Sequence, residues 1–419
     1  LSAIVSQLTN LATPENAGSG SADALVRSAC EVLLDSLHQN GSAIANVRTE
    51  LINKMNQSVM PQLETYLEEI KNLNISIRNS QILGNPALEL QDQRNQMLDE
   101  LAEYMPIEVT YHTKNMGGGI KVDTLEVKLK LNDGKNTKIT LINDDQKGSF
   151  NFDGSTGKGV LKVTEAPNPP TTPNGKEIDI SNLLSNGILK GNLDMLNKSE
   201  AFDHPASDTK GIGYYEQTFN MFVNEFAMMM NKLNSDNPKG AINKPLFTTT
   251  DGKTEGFTAT NIKLSDKWIN GETKITLSKK QDAGSTDYEN VLKMINALSS
   301  DEITFETQPK KADGTGATDP ATGNAIKKQI FKGTFFECYN NIQNTQALER
   351  QSTTSLLKNH QTVADQVADS RESVSGVNMD EEVMDLMRFS QSYNAASRLM
   401  TTMDELLERL ITNTGVVGR

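Results

Sequence analysis

Apolar residues along the first quarter of the chain recur every three to four positions, the spacing of one face of an α-helix. In PQLETYLEEIKNLNISIRN the stripe runs through Leu63, Leu67, Ile70, Leu73 or Asn74, and Ile77, with carboxylates and lysine opposite. In LELQDQRNQMLDELAEYMP it runs through Leu90, Met97, Leu98, Leu101 and Met105, and Pro106 ends the helix. Gly41, Pro61 and the GNP turn at Gly84 to Pro86 are expected to break the region from Ser21 to Met105 into two or three helices.

The period then changes. From Ile107 to Ile142 apolar and polar residues alternate, and TLEVKLKL and TKITLI flank Asn132-Asp133-Gly134, which predicts a β-hairpin. Asn143 to Lys176 is rich in glycine, proline, asparagine and threonine, including APNPPTTPNGK, and predicts surface loops or short edge strands. Helical spacing returns from about Ser181 to Leu233, where Phe219, Phe222, Val223, Phe226, Met229, Met230 and Leu233 form a core stripe and the methionines act as filler. Strand-like PLFTTTDG, GFTATNIKLS and TKITLSKK follow, then a short helix near Tyr288 to Leu298 and a low-complexity loop, KKADGTGATDPATGN.

These segments predict an elongated, multidomain α+β protein: a long-helix bundle domain, inserted and mainly antiparallel β domains, and a C-terminal helix of coiled-coil type. The expected divisions are 1–106, helical part of the bundle; 107–180, a β-rich insertion; 181–235, helical return to the bundle; 236–333, a second β-rich insertion with a short helix; 334–374, a long bundle helix; and 375–419, the C-terminal axial helix segment.

The chain ends on its most regular pattern. No glycine or proline interrupts Gly333 to Gly376 or Gly376 to Gly415, so two long helices meet at the SGVN joint. Asn378 is placed to cap the second, Glu381 to reach back to the cap, and Asp380, Glu381 and Glu382 to favour the positive helix end. Met379, Val383, Leu386, Phe389, Tyr393, Ala396, Met400, Met403, Leu407 and Leu410 then recur at steps of three and four, a heptad-like seam. Over about 34 residues such a helix is roughly 50 Å long. The preceding helix is expected to be swung away by the glycine joint, so the seam calls for a partner that is missing from this chain or lies in another molecule. A chain that begins at Leu1 inside a helical pattern suggests further residues upstream.

Composition narrows the function. Hydrophobic residues make up 36% and aromatics 5%, which suits thin cores better than a compact enzyme. A net charge of −13 argues against nucleic acid or an anionic membrane as partner. No apolar run reaches the roughly 20 residues that span a bilayer, and no Sec-type leader is visible. Cys30 and Cys338 lie too far apart for metal or redox spacing and read as inert core residues.

Catalytic chemistry is not signalled. His38, His112, His204 and His360 are isolated, and no HExxH, GxSxG or GxxxxGK[ST] motif occurs. The carboxylate pairs Glu68-Glu69, Asp144-Asp145 and Glu381-Glu382 fall on expected surfaces, where charge runs mostly solvate a face. No catalytic, cofactor or metal residue is assigned.

The stretch RESVSGVNMDEEVMDLMRFSQSYNAASRLMTTMDELLERLI resembles the C-terminal signature of flagellar axial proteins, above all the hook-associated protein 1 (FlgK) family, in which SGV precedes an acidic pair, Q-x-Y-x-A-A and D-E-L-L. LQDQRNQMLDELAEYMPIEV is similar to the same family's LxDQRDxLLDELS segment, and KPLFTTTDG with FTATNIKLSDKW adds to the match. The resemblance implies a structural, non-enzymatic subunit that leaves the cell by flagellar type III export and forms a ring joining hook to filament outside the cell. It implies terminal helices paired as a coiled coil, with the partner helix in family residues that precede Leu1. The implied partners are further copies of itself, hook protein, hook-associated protein 3, and an export chaperone on the C-terminal helix. The seam residues are assigned to these contacts. The alternatives are another axial protein (hook-associated protein 3, hook or rod protein, or a flagellin-like chain), or an enzymatic or adhesive duty carried by the β insertions.

Overall fold

A computed structural model describes all residues except 18, 168–176, 237–241, 281–283, 285–286, 312, 377–378 and 415–419. The fold is α+β, and the chain divides into two compact units, Leu1–Gln343 and Asn344–Arg419.

The first unit opens with α1 (Ser2–Leu11), then α2 (Gly20–Lys54), a π-helical turn at Met55–Val59 and α3 (Met60–Ile82), which follow without a break. The helix breaks expected at Gly41 and Pro61 are therefore absent. Gly41 lies inside α2, and its missing side chain allows a close approach: a Cβ there would lie 2.8 Å from the Ala259 Cβ. Pro61 sits in the first turn of α3, directly after the π turn, where Met60 N–H donates to Met55 O five residues back. The widened turn accommodates a ring that lacks an amide and would crowd the carbonyl four residues earlier. Leu83 to Ala87 reverse the chain into α4 (Leu88–Tyr104), which ends as expected ahead of Pro106.

Four antiparallel strands follow in spatial order: β1 (Ile107–Gly117), β2 (Ile120–Lys130), β3 (Lys138–Asn143) and β4 (Gln146–Lys147). The expected hairpin joins β2 to β3, with Lys130 paired to Lys138, Gly134 at φ +72° and the Asp133 carboxylate accepting from Lys135 N–H. A second sheet of β5 (Ser149–Asp153), β6 (Val160–Thr164) and β7 (Glu177–Asp179) is also antiparallel. The reading of Asn143 to Lys176 as surface loops or short edge strands is corrected in part: the strands are short, but β6 is central, and its Leu161 and Val163 are fully buried. Most of APNPPTTPNGK, residues 168–176, lies outside the described residues.

The helical return comprises α5 (Ile188–Asn197), a 3-10 turn at Glu200–Phe202 and α6 (Ile212–Asn234). Then come β8 (Phe247–Thr249) paired with β9 (Ile262–Leu264), the short α7 (Asp266–Ile269), α8 (Glu289–Ser299), β10 (Ile303–Thr307) paired with β11 (Lys328–Gly333), and α9 (Phe335–Ser375).

Two hydrophobic cores result. The first gathers α1, the N-terminal half of α2, α6, α8 and Phe335 around Phe222, Phe226, Phe247, Trp268 and Phe305. The second seals α3, α4 and α5 against the inner faces of the two β sheets, through Leu63, Leu67, Leu101, Leu125, Val127, Leu161 and Leu189. Both rest on the alternation and 3.6-residue period visible in the sequence.

TKITLSKK, expected to be a strand, pairs in no sheet among the described residues. Side chains satisfy its backbone instead. Ile275 N–H donates to Asp23 Oδ1 (3.0 Å), Thr276 N–H to Asn234 Oδ1 (2.7 Å), and Asn290 Nδ2 to Thr276 O (2.7 Å). The alternation is that of a strand, but residues of helices, not of strands, supply its hydrogen-bond partners.

Candidate assembly surface

In the second unit, α9 continues from the first and α10 spans Met379–Thr414. Between them Gly376 N–H donates to Glu372 O (2.6 Å). Asn378, the expected cap, lies outside the described residues. Asp380, Glu381 and Glu382 occupy the first turn of α10, the end at which a helix favours negative charge.

All ten seam residues are exposed. Met379 is 76% exposed, Phe389 73% and Tyr393 77%; Val383, Leu386, Met400, Met403, Leu407 and Leu410 are each about half exposed or more, and Ala396 is open too. Met384, Met387, Leu399 and Leu406 widen the apolar surface. Monomeric proteins rarely leave so many large apolar side chains in water along one element.

From Phe389 to Leu410 the steps alternate strictly between four and three. On a helix of 3.6 residues per turn such a stripe slips backward by about 20° per heptad, so a partner must wind around it with a left-handed supercoil. From Val383 through Leu386 to Phe389 two steps of three follow one another, a local irregularity. In α9, Leu348, Leu356, Leu357, Val363, Val367 and Val374 are exposed as well.

Elsewhere the chemistry is structural. His38 Nε2 meets Ile262 O at 2.7 Å, His112 lies 3.8 Å from the Glu126 carboxylate on the surface, His204 N–H donates to Lys310 O, and His360 is exposed on α9. Among the described residues, no group of three or more His, Cys, Asp or Glu is arranged to hold a metal, and no helix is long and apolar enough to cross a membrane. Cys30 and Cys338 are buried free thiols; burial pushes Cys338 up to about 12 and Cys30 higher still.

Sequence reasoning missed the buried and half-buried polar side chains that clamp the first unit, with Asp23, Asn231 and Asn234 buried and Asn220 and Asn224 half-buried. Asp23 accepts from Trp268 Nε1 (3.0 Å) as well as from Ile275. Asn220, Asn224, Asn231 and Asn234 share one face of α6 and bond the backbone of Ala259, Phe257, Leu246 with Phe247, and Thr276 respectively. Their spacing of four, seven and three was the available signal, an asparagine stripe of helical period beside the helix's apolar face. Arg94, in the DQRNQ stretch, is also buried: it donates to Asn74 Oδ1 (3.0 Å) and stacks over Tyr111, 5.4 Å from the ring centre.

The family model for the flagellar hook-associated protein FlgK helical domain matches residues 1–247. The chain belongs to the FlgK family. At the other end, the model for the C-terminal region of flagellar basal body rod FlgEFG proteins matches residues 370–413, a span that contains most of α10. The flagellar hook-associated protein 1 of Bacillus subtilis (strain 168) is 23% identical over 424 aligned positions, covering 96% of this chain and 74% of the relative. That of Escherichia coli (strain K12) is 25% identical over 169 positions, 39% of this chain and 26% of the relative. A solved structure, the flagellar hook junction protein FlgK from Burkholderia pseudomallei, aligns with TM-score 0.42 and 15% identity over 79% of this chain and 49% of that one. This FlgK-family chain is thus a structural component of the bacterial flagellum and not an enzyme.

Proposed function

We propose that the protein is a junction subunit between hook and filament, exported through the flagellar type III channel and assembled as a ring through α10. The observation that carries the reading is the seam from Met379 to Leu410, apolar at each of its ten positions and exposed at every one. Burying such a seam stabilises an assembly by about 25 cal/mol per Å² of apolar area removed from water, so the free subunit holds that energy in reserve until a neighbour arrives. Before assembly the same face requires cover, and an export chaperone supplies it. Hook protein and hook-associated protein 3 are the neighbours on either side of the ring. In the ring α10 pairs as a coiled coil with a terminal helix, and neither nucleic acid nor membrane takes part.

Hydrogen exchange on the purified protein, with and without a flagellar export chaperone, tests this. Peptides from Met379 to Leu410 are expected to exchange fast in the free subunit and to slow on chaperone addition. Strong protection of those peptides in the free monomer would overturn the reading.

A further inference from the structure

The four-stranded sheet ends on a long free edge. β1 pairs with β2 and, among the described residues, with no other strand, so one side of an 11-residue backbone has no ladder partner. A row of unpaired N–H and C=O groups is a template for a further strand, and proteins blunt such edges by shortening them, by proline, by bulges or by a covering element. β1 is about twice the usual strand length of roughly 5–6 residues. It contains no proline, and its register shifts only between Asn115 and Gly117, beside the tip. The regular part, Ile107 to Asn115, has no buried residue, and Tyr111 to Asn115 are exposed. β1 meets α4 through the Tyr111 side chain, whose OH donates to Asn95 Oδ1 (3.0 Å), a contact made from a strand face and not from its edge.

The residues along the edge select the strand that fits it. In EVTYHTK, residues 108–114, an acid and a base stand three places either side of Tyr111. Laid antiparallel on a second copy of itself about Tyr111, the strand sets Glu108 opposite Lys114 at both ends and Thr110 opposite His112 between them. All four positions share one face, because side chains alternate with a period of two, and opposite charges directly across a pair stabilise it. Sliding the register by two residues breaks both charge pairs, leaving Glu108 against His112 or Met116. Lys114 has no ion-pair partner among the described residues. A hydrogen bond from Lys138 (2.7 Å) holds the Glu108 carboxyl below its ordinary range, so it meets that lysine ionised.

We infer that β1 of one copy pairs antiparallel with β1 of a second copy about a two-fold axis at Tyr111, joining the two sheets edge to edge. The contact is isologous, the same surface on both subunits, and therefore pairs subunits outside a one-directional ring. It rests on the edge and its charges, not on the reading of α10.

Thr110→Cys and His112→Cys variants of the full protein, mixed in equal amounts under mild oxidation, test the pairing, since these positions lie opposite each other in the register and the native thiols are buried. A mixed disulfide dimer is expected, rising with concentration. Adding Lys114→Glu to both partners sets glutamate against glutamate and should cut the yield by roughly tenfold. Adding Lys114→Glu to one partner and Glu108→Lys to the other returns opposite charges to both ends and should restore the yield, a recovery that also shows both variants folded. No mixed disulfide at any concentration, the result if the edge takes an extended segment of a different protein, or a yield indifferent to these charges, overturns the pairing. These comparisons leave α10 unchanged, so their failure does not touch its hydrogen-exchange test, and the converse holds.

Discussion

Asn231 shows what one side chain can hold. Its Oδ1 accepts from Leu246 and Phe247 N–H (2.8 and 2.9 Å) and its Nδ2 donates to Phe247 O (2.8 Å), all within the first core. Asn231→Ala strands three buried backbone groups, each costing about 1–3 kcal/mol when unmet, so a loss of about 3 kcal/mol or more is expected. Trp268, the only tryptophan and fully buried, reports it as a lower urea midpoint in fluorescence. On the surface, hydrogen bonds from Lys280 and Lys293 hold the Glu289 carboxyl down to about 2. A depressed carboxylate pKa adds stability above its unfolded value near 4.5, and that share is lost as pH falls toward 2. Lys280→Ala should flatten that limb of the acid titration in low salt, and added salt should erase the difference, since the pair is open to solvent. The sequence showed asparagines at helical spacing but not that they face inward, because residue type gives polarity and only packing gives burial. Arg94 was legible as part of a family-like motif and illegible as a buried cation for the same reason.

At the scale of elements, the clearest periods translated directly: α3, α4, α6, α10 and the β2–β3 hairpin stand where their patterns place them. Misreadings fell where tertiary contacts overrule local preference. TKITLSKK alternates like a strand, yet α2, α6 and α8 offer side-chain acceptors and donors in place of a neighbouring strand. Gly41 reads as a break, yet it is the gap that admits Ala259. Gly41→Ala should therefore destabilise by about 1–2 kcal/mol through overpacking, against the gain of up to about 1 kcal/mol that removing an exposed helical glycine gives; thermal melts compare the two directly. The ten residues assigned to assembly were visible as a stripe. What covers them was not, since a seam names the geometry of its partner and not the partner. Phe389→Asp together with Met400→Asp should weaken chaperone binding, read by calorimetry, without shifting the unfolding transition seen by Trp268.

For the whole molecule, both cores lie within Leu1–Gln343, and every described side chain from Arg350 onward is exposed. Ending the chain at Gly376 is accordingly expected to leave the Trp268 melting temperature unchanged while abolishing chaperone binding. Thiol reagents at mild alkaline pH should find neither cysteine until the first unit unfolds, then both together. The helix that passes from α2 through the π turn into α3 adds a mechanical consequence. Its segments of 35, 5 and 23 residues follow end to end, roughly 90 Å of contour at 1.5 Å per residue, with Val26 and Cys30 gripped in one core and Leu63 and Leu67 in the other. No loop intervenes to absorb strain. In a rotating appendage that continuous strut is a load path: torsion applied at one core reaches the other through backbone hydrogen bonds, and the π turn, where the α-helical ladder changes its spacing, is where it is expected to yield first.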